Sequence, residues 1–364
     1  MKRSALLKGW AWIRSHDPRR FPARLTSWFT RRNAGLTINR AALLKGWAWI
    51  RSHDPRRFPG GLNTWLGLLS LGFVLAALLH HGQGLVSLSL DRQGVGWVVL
   101  AVGSAWLSLG VNAMAWQEGL HWLGISRPST GLLPLFLASN LKKYLPGGGW
   151  HLLARVQALR RGGEGLGPPV ATSTALLGTV LDPLLMALAA LALVPLGGWQ
   201  GGLLLLGLAP VLLLTLPDRL TGVLSWLEQQ KARHLNLASA PLPTLTSTPW
   251  RPWLAELGFV VVRFLAFACC IQAFDLANLL GWANWLAAFA VAWTAGLVVP
   301  GAPGGLGVFE AALLLRLSGT IPDAPLLAVA LTYRLATTAA DLLAAGAVHL
   351  DRRREPTDRS PGSQ

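Results

Sequence analysis

Charge is scarce in this sequence. Only 13% of its 364 residues are Asp, Glu, Lys or Arg, against 52% hydrophobic residues and a mean hydropathy of +0.44. That balance excludes an ordinary soluble domain and points to a polytopic membrane protein. Acidic residues are scarcer still, 16 against 32 basic ones, for a formal charge of +16. Cysteine is nearly absent: Cys269 and Cys270 stand side by side in an apolar run, which argues against a disulfide framework and a zinc site and leaves them as packing residues. No metal-ligand spacing, nucleotide loop or Ser/His/Asp pattern occurs, so no cofactor is expected. The length suffices for a helical bundle but leaves no room for a sizeable soluble catalytic domain beside it.

The basic excess invites a nucleic-acid reading, but the Lys and Arg residues gather beside apolar spans, as the positive-inside rule predicts. Membrane lipids and an anionic leaflet are the expected partners, and no nucleic acid. Whether the chain forms a homo-oligomer or serves a separate partner enzyme is left open by the sequence.

Three regions follow from composition. Residues 1–61 are a basic leader in which Ala5 to Pro22 and Ala42 to Pro59 are the same eighteen residues, ALLKGWAWIRSHDPRRFP. So complete an identity indicates a recent tandem duplication and not a solenoid. Each copy can form a short Trp/Arg interfacial helix, and the first copy is expected to be redundant. Fourteen Lys/Arg against two Asp before Leu62 put this leader on the cytoplasmic side of the cell membrane. Residues 62–350 are the transmembrane domain, and 351–364 a polar, disordered cytoplasmic tail opened by Arg352, Arg353 and Arg354.

The domain is expected to be an all-α bundle of about seven or eight spans. The long apolar segments are Leu62–Leu79, Val95–Trp116, Ala171–Pro195, Gly202–Leu216, Leu254–Phe274, Trp282–Val299 and Ala324–Leu350. The polar run from Pro217 to Trp253 reads as a cytoplasmic loop. Seven spans would separate the termini, whereas the charges favour both inside, so the short segment Gly305–Leu317 is expected to cross as an eighth, with a re-entrant hairpin at Pro300–Leu317 as the alternative.

Two Gly/Pro interruptions stand out. One runs Pro300-Gly301-Ala302-Pro303-Gly304-Gly305-Leu306-Gly307-Val308-Phe309-Glu310, between apolar segments. The other is Lys142-Lys143-Tyr144-Leu145-Pro146-Gly147-Gly148-Gly149, leading into a helical pattern with His151 and Arg155 on one face. Proline removes a backbone donor and glycine takes positive φ freely, so the backbone must break at both places. Broken backbone at membrane depth is tolerated only where protein buries it or it lines a polar cavity. A helix restarting there presents free N–H groups that favour anions. Paired breaks in two halves suggest an internal repeat with a binding site at its interface. A tight interhelical turn and a basic topology-setting loop are the plainer alternatives.

The candidate headgroup-binding residues are therefore Lys142, Lys143, Gly147, Gly148, Gly149, Arg155, Gly304, Gly305, Gly307, Glu310 and Arg334. Asp182 and Asp341 are further intramembrane charges, too costly to be there without a partner or a task. Arg334, Thr338 and Asp341 fall at i, i+4 and i+7 and make a polar stripe that should face the bundle interior. Structural ion pairs are the alternative for these residues. Arg263 and Arg316 are weaker candidates.

Lys143-Tyr144-Leu145-Pro146-Gly147 with Arg155, the Pro300–Glu310 element and the later Tyr333-Arg334 resemble the lysylphosphatidylglycerol synthase transmembrane family, over roughly Leu62 to Leu350. The resemblance implies a flippase-like membrane protein whose relatives move charged phospholipids between leaflets. Members often carry a glutamate and an arginine shortly before the aspartate matching Asp182. Here Leu177-Gly178-Thr179-Val180-Leu181 precedes Asp182, so that acidic–basic neighbour is missing. The aminoacyl-transfer domain of two-domain members has no counterpart in these 364 residues, so no enzyme activity is expected. The alternatives are a membrane enzyme on a lipid-linked substrate, with Glu310 or Asp182 as general base, and a non-transporting scaffold.

Overall fold

The computed structural model describes residues 90–145, 149–163, 165–198, 203–234, 247–299 and 303–354. The duplicated leader, the span expected at Leu62–Leu79, Pro146 to Gly148, Pro300 to Ala302 and the last ten residues lie outside them. The described chain is all-α. Its ten helices are α1 (Arg92–Trp122), α2 (Ser129–Asn140), α3 (Trp150–Arg161), α4 (Thr172–Leu193), α5 (Leu203–Thr215), α6 (Pro217–His234), α7 (Trp250–Ala273), α8 (Trp282–Val298), α9 (Val308–Leu317) and α10 (Asp323–Arg354).

Among the described residues, α1, α4 with its short extension to Gly197, α7 and α10 are long and apolar enough to cross a membrane. A fifth crossing would be the broken pair α5–α6, bent by 99°. The bend falls at Pro217, which has no N–H to continue the α5 ladder. Helix α4 is apolar all round and is the most enclosed of the four, as a central helix should be. Helix α1 has Ala101, Ala105 and Ser108 buried, and these small side chains let α7 pack closely along it. Its other face turns Val99, Trp106, Leu107 and Met114 outward, where lipid would solvate them.

Two sequence expectations change. The run from Pro217 is not a loop at its start but the 18-residue helix α6. Leu220 and Leu224, four apart, are buried against Leu177, Leu181 and Leu185 of α4. The surrounding polar residues hid that stripe. Of the two expectations for Gly305–Leu317, the segment lacks a helix of crossing length and takes the hairpin form. Gly304, Gly305 and Gly307 have φ of +60°, +74° and +80°, outside right-handed helix, and α9 starts only at Val308. Ten residues rise about 15 Å, half of a ~30 Å hydrocarbon core.

Instead the chain doubles back: α9 returns along α8, just as α3 folds against α2 beyond its own break. A Cβ on Gly305 would lie 2.8 Å from the Gly296 carbonyl oxygen of α8, so only glycine permits this approach. In the described part of the first break, Leu141–Tyr144 form a 3-10 turn. The two breaks touch: a Cβ on Gly304 would sit 3.1 Å from the Tyr144 ring.

An aromatic core fixes the second break. Phe309, two residues into α9, packs against Phe267 of α7, Phe289 of α8 and Tyr333 of α10, with ring centroids 5.4–6.1 Å apart. Each such pair contributes about 1 kcal/mol beyond area burial. Cys270 is buried in the same core, and Cys269 beside it is half-buried; neither is bonded to a partner cysteine.

Candidate functional site

Helix α10 holds both breaks with one face. Its polar stripe points into the bundle. Arg334 donates from Nε to Glu310 Oε1 at 3.0 Å, from Nη1 to the Gly304 carbonyl at 2.6 Å and from Nη2 to the Gly305 carbonyl at 2.7 Å. Its guanidinium also lies 4.9 Å from the centre of the Phe309 ring. The planar fork suits this work, because a lysine could not reach three acceptors in fixed directions. Glu310 is fully buried and takes the Gly307 N–H on its other oxygen at 2.7 Å, closing the start of α9. The helix start expected to greet an anion thus has its first N–H occupied by Glu310. These two residues meet as a clamp on the break.

Two turns on, Asp341 holds the first break. Its buried carboxylate accepts from Lys143 Nζ at 2.7 Å, Tyr144 Oη at 2.6 Å and Asn140 Nδ2 at 2.7 Å. Thr338 Oγ1 is 3.3 Å from the same tyrosine hydroxyl. Lys142, one residue before Lys143, is exposed and does not line the cavity described below. Gly149 is buried as the residue capping α3, and Gly147 and Gly148 fall outside the described residues.

The third cluster surrounds Asp182, midway along α4. Arg155 of α3 approaches Asp182 Oδ2 at 3.3 Å and donates from Nε to Ser139 Oγ at 3.1 Å. Its guanidinium stacks 3.7 Å from the Phe136 ring centre and 5.3 Å from that of Trp116. Glu256 of α7, only 1% exposed, lies within hydrogen-bonding reach of the Asp182 carboxyl. The acidic and basic neighbours that the helix of Asp182 lacks are therefore supplied by α7 and α3. Pro183 withholds a donor from the Thr179 carbonyl one turn earlier, leaving a polar spot beside the carboxylate.

These clusters border one cavity of about 570 Å³. Its wall carries Lys143, Arg155, Lys231, Arg263 and Arg334, and Asp182 is the carboxylate among its lining residues. Lys143, Arg155 and Arg334 have carboxylate partners. Among the described residues, Lys231 and Arg263 have none within ion-pairing distance. Arg263 donates to Ser108 Oγ at 3.0 Å and hydrogen-bonds Tyr333, both neutral. Such a wall can hold an anion away from water at membrane depth.

A family model described as the lysylphosphatidylglycerol synthase TM region matches residues 64–345. The chain belongs to that family. The match takes in both breaks, all three clusters and every helix through most of α10. None of the curated proteins compared with the chain matches it. As a member of the lysylphosphatidylglycerol synthase TM region family with several long apolar helices, this is a multi-pass integral membrane protein.

Sequence reasoning reached Arg155, Asp182, Glu310, Arg334 and Asp341, but not Glu256, Lys231, Ser139 or Asn140. Glu256 carried a usable signal, a carboxylate seven residues into an apolar helix, the same cost that singled out Asp182. Lys231 was hidden in the presumed loop. Ser139 and Asn140 are short polar residues whose importance depends on what faces them. Arg316, near the end of α9, does not line the cavity.

Proposed function

We propose that this protein moves lipids bearing anionic headgroups from one leaflet of the cell membrane to the other, with its basic leader and tail on the cytoplasmic side. The observation that carries this is the cation-rich cavity at the meeting of two broken helices, inside a bundle whose outer face is apolar. A headgroup crossing the hydrocarbon needs its hydration replaced, and a cavity of about 570 Å³ falls within the range of ligand-sized sites. Acyl chains can stay in lipid while the phosphate meets Arg263 and Lys231, the wall cations that no carboxylate among the described residues reaches at ion-pairing distance.

Catalysis on a lipid-linked substrate is the weaker reading. A general base needs a carboxylate free to take a proton from substrate, whereas Glu310 is saturated by internal donors and Asp182 is committed to Arg155 and Glu256. A cationic headgroup is disfavoured because, among the described residues, the cavity wall sets Lys143, Arg155, Lys231, Arg263 and Arg334 against Asp182, which Arg155 already pairs.

The test is a headgroup-resolved leaflet-exchange assay with purified protein in liposomes. Faster exchange of phosphatidylglycerol or phosphatidate than of phosphatidylcholine supports the proposal. No exchange, or chemical conversion of the lipid, overturns it.

A further inference from the structure

The contact between Asp182 and Glu256 poses a problem of proton count. Asp182 Oδ1 and Glu256 Oε2 are both buried, and neither has a hydrogen-bond donor in reach. Yet the two carboxyl groups lie close enough to hydrogen-bond each other. Two carboxylates cannot do so, because both are acceptors only; the bond exists when one of them carries a proton. The surrounding charge agrees. Arg155 is the cation at ion-pairing distance, and it approaches Asp182 on the other oxygen, Oδ2. One guanidinium against two carboxylates would leave a buried negative charge uncompensated, whereas one guanidinium, one carboxylate and one carboxylic acid are neutral.

We propose that Asp182 and Glu256 form a proton-binding site that holds one shared proton and couples proton movement to translocation. The proton belongs to the pair and not to either residue. When it leaves, the carbonyl and hydroxyl oxygens of the acid become a second carboxylate, and the cavity wall gains one negative charge beside Arg155. That charge repels the anion in the same cavity, so the anion binds best to the protonated pair and the two travel together. A headgroup with one negative charge thereby moves with one proton. This coupling rests on the anionic-headgroup reading above, but the proton site itself does not.

The ionisable groups around the pair come from the helices packed on α4. Helix α3 brings Arg155 and His151, α6 brings Lys231 and Glu228, and α7 brings Arg263 along with Glu256. Helices α1 and α8 contribute Asn112 and Trp293 to the cavity wall, and α5 has no ionisable residue. No other carboxyl shares a proton with Asp182 among the described residues.

Infrared spectroscopy of the purified full chain reads the site directly. The wild type should show a carboxylic-acid C=O band at neutral pH that disappears with rising pH as one proton is lost. Glu256→Gln should abolish that titrating band, and so should Asp182→Asn from the other side. Absence of the band in the wild type at neutral pH overturns the proposal without reference to any variant. In liposomes, exchange of an anionic lipid by the wild type should fall roughly tenfold as pH rises through the titration of the band, the size expected for one added charge across the cavity. Glu256→Gln, neutral at every pH, should remove that fall. Identical pH profiles in both proteins would refute the coupling. A titrating band in a protein that exchanges no lipid at any pH would uphold the proton site and refute the translocation reading instead.

Discussion

Replacing Glu310 by glutamine probes the clamp at the second break. The side chain is fully buried and its two oxygens accept from Gly307 N–H and Arg334 Nε at 2.7 and 3.0 Å. Glutamine has one carbonyl oxygen, so it keeps one of these bonds and turns an NH₂ donor toward the other. The change removes a hydrogen bond to a charged group, worth about 2 kcal/mol, and leaves Arg334 without its counter-charge, bringing the loss to about 3 kcal/mol. Arg334 is 19% exposed and keeps its two glycine carbonyls, which holds the loss below the upper end of the range for buried pairs. Thermal unfolding in detergent should show the midpoint lowered by about 6 °C at this chain size. Arg334→Gln should cost more, because it strips the Gly304 and Gly305 carbonyls as well. In the double variant the losses should fall short of their sum by about 2 kcal/mol. Strict additivity, or a Glu310→Gln protein as stable as the wild type, would refute the clamp.

Gly305→Leu should insert normally and lose lipid exchange, since φ of +74° and the Gly296 carbonyl 2.8 Å from its Cβ leave no room for a side chain; full activity would refute the close approach. Asp341→Asn, which weakens the hold on Lys143 and Tyr144, should make the 141–145 segment more open to proteolysis or hydrogen exchange while the second break stays protected. Cysteine placed at Arg233 and Arg353 should label from the cytoplasmic side only, and labelling of Arg353→Cys from outside would overturn the assigned orientation.

What the sequence made legible was local chemistry. Proline and glycine at Pro300–Gly307 announced a break because no helix can pass through that backbone, and Arg334, Thr338 and Asp341 declared a common face by spacing alone. Helix α9 was legible as a helix but not as half a crossing, because its direction is set by the Gly296–Gly305 approach, a contact between elements. Asp182 illustrates the same limit. Its cost at membrane depth marked it, but its partners Arg155 and Glu256 come from α3 and α7, and no spacing along the chain links them. Arg334 was open to a phosphate or to an ion pair with Asp341, Asp182 or Glu310, and its donors go to Glu310 and to the carbonyls of the break. The cations left for a ligand are Arg263, given little weight, and Lys231, in a stretch whose helical stripe was masked by charge.

Translocation by this route requires that the cavity select anions. The most direct test is the ratio of leaflet-exchange rates for phosphatidate and phosphatidylcholine, measured with the wild type and with Lys231→Gln at equal folded fraction. The wild type should favour phosphatidate, and Lys231→Gln should reduce that preference roughly tenfold, as one charge facing the headgroup across a partly wet cavity implies. Equal rates for the two lipids in the wild type, or a preference unchanged by the substitution, would contradict it.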